Sequence, residues 1–275
     1  MLPTYIPVQK IEANNGIVYA YRRLGPARGI PLVLHMHVRA SMGYWDPVFI
    51  RPLLVKRPVI MFDPPAVGQS SGGTQRTPSD INIMGADLNA FLDALSLEHI
   101  DLLGFSIGSM ACQMATLARP ERSATEADWQ AAYTLTFFRD DDQGRAAAEA
   151  YFQRLRESEF NEHAAEGGLP TFNNVESFMI QLKSIKHWCA PGDRNKHSFY
   201  RLHELTMPVL VMTGDDDYLV PTPRSYELMH GIPNCLLVIW PRAGHASIWQ
   251  YAKNYAAKVN EFLDSGMDNY AKPQL

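Results

Sequence analysis

The sequence predicts an α/β protein: a mostly parallel central sheet of seven or eight strands, with a helical segment inserted over it. Three observations carry this. Short apolar runs recur at Pro31-Leu32-Val33-Leu34-His35, residues 57–62, Ile100-Asp101-Leu102-Leu103, Met207-Pro208-Val209-Leu210-Val211-Met212-Thr213 and Cys235-Leu236-Leu237-Val238-Ile239-Trp240. Runs without polar alternation suit strands covered on both faces, as parallel strands are. Between one such run and a helix-forming stretch lies Gly104-Phe105-Ser106-Ile107-Gly108. From residue 123 to about 199 the runs give way to aromatic residues at helical spacing. A chain of 275 residues with 46% hydrophobic content is long enough for one large domain with a sizeable core.

The elements follow in order. Residues 8–13 and 17–23 alternate around Asn14-Asn15-Gly16, which predicts a hairpin. Residues 31–35 and 57–62 are central strands. Thr77-Pro78-Ser79-Asp80 opens a helix whose apolar positions are Ile83, Met84, Leu88, Phe91, Leu92 and Leu95. The segment 123–199 carries Trp129, Tyr133, Phe137, Phe138, Tyr151, Phe152, Leu155, Phe172, Phe178, Met179 and Trp188. It is expected to be a helical cap, dividing the chain into a core of 1–122 and 200–275 and a cap of 123–199; an outer helical layer is the alternative. The last helix is expected over about 249–264.

Gly-x-Ser-x-Gly between strand and helix reads as a nucleophile elbow, a strained turn that needs glycine on both sides. The pentapeptide alone is weak; it arises by chance in about one chain in ten of this length. Its partners strengthen it. A Ser–His–acid relay of this kind runs Ser, acid, His along the chain. Gly214-Asp215-Asp216-Asp217-Tyr218-Leu219-Val220-Pro221 follows one late strand, and Pro241-Arg242-Ala243-Gly244-His245 follows the next. Three adjacent aspartates leave the acid ambiguous on these grounds. The helix-opening Ile107 would offer a backbone N–H to an oxyanion.

These pieces, with Phe62-Asp63-Pro64-Pro65-Ala66-Val67-Gly68-Gln69-Ser70, resemble the α/β-hydrolase fold superfamily from about residue 8 to 264. His37-Val38-Arg39-Ala40 followed by Tyr44-Trp45-Asp46-Pro47 is similar to a branch of microbial serine hydrolases that reads His-Phe-Arg-Gly, then Trp-Asp-Pro. The resemblance implies Ser106 as nucleophile, His245 as base and Asp217 as orienting acid. It implies Val38 as the second oxyanion donor. It also implies a central strand after the elbow helix, where Ser123-Ala124-Thr125-Glu126-Ala127-Asp128 does not look like one. A missing strand would let its neighbours close up by about 4.8 Å and displace the site.

Arg39, Tyr44, Trp45, Phe138, Trp188 and Trp249 are candidate pocket residues. Packing is the alternative for each, and for Arg39 an ion pair with Asp46 or Asp63. His35 and His37 are expected to be structural, as is Asp63; Met36, Met42 and Met84 fill gaps. Gly72-Gly73 reads as a turn. The remaining histidines lack ligand spacing, so neither a metal nor a cofactor is expected. Net charge is −4 with a pI near 6.1, which disfavours nucleic acid and anionic membrane as partners. No apolar run approaches about 20 residues. The opening Met1-Leu2-Pro3-Thr4-Tyr5-Ile6-Pro7 lacks secretory features, and three unpaired cysteines suit a cytoplasmic setting. The expected activity is hydrolysis of an ester or lactone of a small apolar molecule. Carbon–carbon bond hydrolysis, or a non-hydrolytic binding, cyclisation or isomerisation role on the same fold, stays open, as does a homodimer.

Overall fold

The computed structural model describes residues 5–72, 77, 79–129, 137–172, 174–189 and 196–265. Eight strands form one sheet in the order β1-β2-β4-β3-β5-β6-β7-β8. β1 (Gln9–Glu12) and β2 (Val18–Leu24) make the expected antiparallel hairpin, and β2 pairs antiparallel with β4 (Val59–Phe62). From there the sheet is parallel: β4, β3 (Leu32–His35), β5 (Ile100–Phe105), β6 (Ser123–Trp129), β7 (Val209–Gly214) and β8 (Cys235–Trp240).

Every residue of β3, β4, β5 and β7 is buried. Successive side chains point to opposite faces, so each strand feeds two cores. Leu32, Leu34, Met61, Leu103 and Phe105 enter one. Val33, Ile60, Phe62, Ile100 and Leu102 enter the other.

β6 corrects the expectation that the strand after the elbow helix is missing. It pairs on both sides, Leu103 with Ala127 and Ala127 with Leu210. Its sequence has little strand character. Two flanking ladders with unsatisfied backbone groups supply what propensity does not. β5 and β7 therefore stay a strand apart instead of closing up.

α1 (Pro47–Leu54) starts at Asp46, whose carboxylate accepts from Val48 N at 2.9 Å. α2 (Ile81–Ala94) starts at Asp80 in the same way. It buries Met84, Leu88, Phe91 and Leu92, but Ile83 is exposed. α3 (Ile107–Ala118) follows β5 and packs beside α2. Between β6 and β7 come α4 (Asp142–Arg156), α5 (Val175–Trp188) and short turns at Ala164–Glu166 and Ser198–Glu204. Tyr133 and Gly73 lie outside the described residues. α6 (Pro223–Gly231) links β7 to β8. The expected last helix is two, α7 (Ser247–Gln250) and α8 (Ala252–Ser265).

Strand order reverses at β3: the chain moves out to β4 and then crosses to β5 on the other side. Ligand crevices form at the carboxyl ends of such switch points. Here His35 pairs with Gly104, so the loops leaving β3 and β5 start side by side.

Candidate active site

Ser106 is the single residue between β5 and α3, with φ 62° and ψ −128°. That left-handed φ is costly for a residue with a side chain. Two glycines permit it. A Cβ on Gly104 would run into the backbone of Ser109, and one on Gly108 into the carbonyl oxygens of His35 and Met36. Ser109 then fastens the bend, its N–H and hydroxyl donating to Ser106 O at 2.8 and 2.6 Å. Ser106 is buried at the positive end of α3. The Ile107 N–H, first in the helix, has no intrahelical acceptor.

His245 and Asp217 meet above the ends of β8 and β7. His245 Nδ1 is in contact with Asp217 Oδ2, and both side chains are 1% exposed. Asp217 Oδ1 accepts from Leu219 N and Val220 N, each at 2.9 Å, so the carboxylate is fully engaged. The structure separates the three aspartates. Asp215 accepts from Ala243 N at 3.1 Å, and Asp216 pairs with Arg139 at 2.8 Å. Phe137 closes over His245 with ring centres 6.1 Å apart, and its carbonyl accepts from Ala246 N.

The loop after β3 brings the third part. Val38 is buried, beside His37, whose Nδ1 lies 2.8 Å from Val38 O. A carbonyl only accepts, so Nδ1 carries the proton. Burial lowers the His37 pKa to about 3 and that of His35 to about 4, which keeps both rings neutral. Three side chains from elsewhere hold this loop. Gln181 of α5 accepts from Arg39 N at 2.9 Å. Asp63, just past β4, accepts from Met42 N at 2.7 Å and Gln69 N at 2.8 Å. Tyr151 of α4 donates to Tyr44 O at 2.9 Å. Burial raises the Asp63 pKa to about 6.

The candidate pocket residues part company. Tyr44 and Phe138 line a cavity of about 20 Å³ with His37, Tyr151 and Phe172. Trp188 instead lines a groove of about 530 Å³ with Ser109, Phe199, Leu219 and Val220, and it stacks on His197 at 4.9 Å. Ser106, Asp217 and His245 are outside the lining of both. Trp45 and Trp249 are core residues: Trp249 stacks on Tyr151 at 5.1 Å and meets Trp45 edge-on at 5.6 Å. Arg39 lies over the faces of Phe172 and Phe178, at 5.4 and 4.9 Å. Asp46 takes Arg154 of α4 instead, at 2.6 Å. Sequence reasoning missed Gln181 and Arg154, because nothing in the spacing of α4 or α5 marks them, and it placed Tyr151 in the cap without its bond to Tyr44. Among the described residues no cluster of His, Cys, Asp or Glu is gathered as a metal site. No helix among them is long and apolar enough to cross a membrane.

Similarity to known proteins agrees with this geometry. A profile of the alpha/beta hydrolase fold matches residues 29–165. An alpha/beta hydrolase fold protein from Chitinophaga pinensis superposes with a TM-score of 0.81 at 28% identity, over 94% of this chain and 98% of that one. A poly(3-hydroxyalkanoate) depolymerase of Ectopseudomonas oleovorans is 27% identical over 276 residues, 92% of this chain and 91% of the relative. A 2-hydroxy-6-oxononadienedioate/2-hydroxy-6-oxononatrienedioate hydrolase of Cupriavidus pinatubonensis is 43% identical over 63 residues, 23% of this chain; the match spans only 22% of that relative's length. With its sheet order, its elbow and these likenesses, the chain belongs to the alpha/beta hydrolase fold family.

Proposed function

We propose that this protein is a hydrolase that uses Ser106 as nucleophile, His245 as base and Asp217 as orienting acid, without a cofactor. The observation that carries the reading is the buried His245–Asp217 pair in the same molecule as a serine held at a left-handed bend. Asp217 on Nδ1 fixes the tautomer that leaves Nε2 able to accept a proton. Ser106 Oγ attacks the substrate carbonyl and gives its proton to His245. The N–H groups of Val38 and Ile107 stabilise the oxyanion, an effect worth roughly 3–4 kcal/mol per donor. The imidazolium returns the proton to the leaving group, and water, deprotonated by His245, releases the acyl group.

The substrate class is an ester or lactone of a small apolar molecule. The aromatic rings packed around His37 and His245, Phe105 and Phe137, support it. In this reading Ser123–Trp129 belongs to the core sheet and the cap follows it, since α4 and α5 lend side chains to the loop that carries Val38. Carbon–carbon bond hydrolysis is the second reading, favoured by the local likeness to the 2-hydroxy-6-oxononadienedioate hydrolase. The non-hydrolytic alternative loses half its motive, because the strand whose absence suggested it is present.

A fluorophosphonate probe tests the core of this. It should add once to folded protein, at Ser106, and not to Ser106→Ala. That variant should hydrolyse p-nitrophenyl butyrate at least about 10³-fold more slowly while keeping its circular dichroism. Unlabelled wild-type protein, or full turnover by the variant, refutes the nucleophile. Faster turnover of a dienoic vinylogous diketone than of any ester would select the second reading.

A further inference from the structure

We propose that Gln181, on α5, is a positioning residue for the oxyanion loop. Its side-chain carbonyl holds the turn that carries Val38 in a form the turn would not keep unaided. The catalytic consequence rests on the hydrolase reading above; the structural one does not.

His37 to Ala40 form a β-turn, closed by Ala40 N on His37 O at 3.4 Å. Val38 and Arg39 are its central residues, and Arg39 has φ 68°. A left-handed residue at the third position is the mark of a type II-like turn, which ordinarily takes glycine there. Types I and II differ by inversion of the peptide between the two central residues, and a residue with a Cβ favours type I. In this turn that peptide links Val38 to Arg39, and it is gripped at both ends. His37 Nδ1–H donates to Val38 O at 2.8 Å, and Arg39 N–H donates to Gln181 Oε1 at 2.9 Å. Inversion would break both bonds at once.

The His37 bond is local to the turn. The Gln181 bond comes from 142 residues away and is the one that depends on α5 being docked. Gln181 is buried, so losing the acceptor would leave Arg39 N–H without an easy substitute from water. Gln181 also borders one cavity of about 10 Å³ with His37, the residue before Val38, and with Ile107, the other proposed donor. The ring of Phe178, one turn earlier on α5, lies under the Arg39 guanidinium, so one helix face holds this residue by backbone and side chain together. The oxyanion loop is thus competent only with α5 in place.

Two variants and a background test this with p-nitrophenyl butyrate. Gln181→Leu should lower kcat about 10- to 100-fold with KM changed less than about threefold, as loss of a transition-state contact does. Gln181→Glu, which keeps an acceptor oxygen, should regain most of that rate. In an Arg39→Gly background, where the left-handed turn carries no penalty, Gln181→Leu should cost less than about threefold. Equal losses in Gln181→Leu and Gln181→Glu, or an equal loss in both backgrounds, would reduce Gln181 to packing and overturn the proposal. Hydrogen–deuterium exchange over residues 36–41 reads the turn without any chemistry. Exchange there should quicken in Gln181→Leu and not in Gln181→Glu, and unchanged exchange in Gln181→Leu overturns the proposal even if Ser106 proves unreactive to the fluorophosphonate. An unlabelled Ser106 with the expected exchange pattern would sink the hydrolase reading alone.

Discussion

The bends after β5 and after β3 leave the sheet side by side, and both keep a non-glycine residue at positive φ, Ser106 at 62° and Arg39 at 68°. They are stabilised in opposite ways. The Ser106 bend is made by its own neighbours: two glycines give clearance and Ser109 locks the turn. The Arg39 bend has one local bond, from His37, and a second from Gln181 of α5, while the loop beyond it is held at Met42 and Tyr44 by Asp63, past the end of β4, and Tyr151 of α4. The proposed nucleophile sits in a bend built mostly within its own strand and helix, with Gly108 giving clearance to the end of β3. The loop after β3 takes most of its fixed contacts from distant elements. In the proposed centre, the nucleophile is therefore set mainly by its own strand and helix, while the loop of the second oxyanion donor leans on the insertion.

The largest effect should come from breaking the local bend. In Gly108→Ala the new methyl meets the carbonyl oxygens of His35 and Met36, backbone atoms that cannot rotate away. The elbow must open or β3 must move, and ester turnover should fall more than about 10³-fold, with a lower thermal midpoint. Near-normal turnover would show that the clearance is not needed and that the two bends are less different than they look.

Next comes the clamp on the borrowed side. Asp46 is fully buried and takes Arg154 at 2.6 and 2.9 Å, while Arg154 also reaches Trp249 O at 3.2 Å. The pair ties α4 to the start of α1 and to the helix after His245. Arg154→Met should destabilise by about 3 kcal/mol in urea unfolding, because buried Asp46 keeps the Val48 N–H and a more distant Arg51 but loses its paired charge. Asp46→Asn in that variant should restore most of it, since asparagine still caps α1. A double variant as unstable as the single one would mean that Arg154 acts through packing.

How much of this was legible in the sequence follows the same divide. The elbow could be read because its requirements fit within five residues. His245 could be read because β7 and β8 are strong apolar runs with short loops. Asp217 could be chosen from its neighbours only by family position, and the structure supplies the reason: each of the other two is spent elsewhere. β6 was illegible because its neighbours, not its composition, make it a strand. Trp45 and Trp249 were misplaced because an aromatic beside a site reads the same in a core as in a pocket. Gln181, Arg154 and Tyr151 contact partners 142, 108 and 107 residues away, and no periodicity carries that information.

His35 and His37 lie where the two bends meet, and they give the comparison a pH axis. Burial holds their pKa values at about 4 and about 3, below the ordinary 6.5. Below pH 6.5 the unfolded chain takes up protons that the folded one refuses. The stability they permit is complete above pH 6.5 and declines as pH falls toward 4, by roughly 3 kcal/mol for each ring. Asp63 works the other way. Its raised pKa of about 6 contributes stability that is full below about 3.8 and is lost as pH rises through 6. His37→Gln keeps a donor for Val38 O and removes one titration. Urea unfolding should then show a loss between pH 7 and pH 4 that is smaller by roughly 3 kcal/mol. Parallel curves for the two proteins would mean that the His37 ring is protonated in the fold.

The smallest effect separates a loop held by one contact from a loop held by several. Tyr151→Phe deletes the hydroxyl that donates to Tyr44 O and leaves the ring stacked on Trp249 at 5.1 Å. The loss should be about 1 kcal/mol in stability, with kcat lowered only two- to threefold, roughly what one hydrogen bond contributes. Asp63 and Gln181 still hold the loop at Met42 and Arg39. The informative number is the coupling. If the loop orders as one unit, Tyr151→Phe combined with Gln181→Leu should cost more in kcat than the two losses multiplied, because the second removal acts on a loop already loosened. The same Tyr151→Phe change beside Ser109→Ala should multiply simply, since the elbow keeps its own geometry. Strict multiplicativity in both pairs would make the oxyanion loop as self-sufficient as the nucleophile bend.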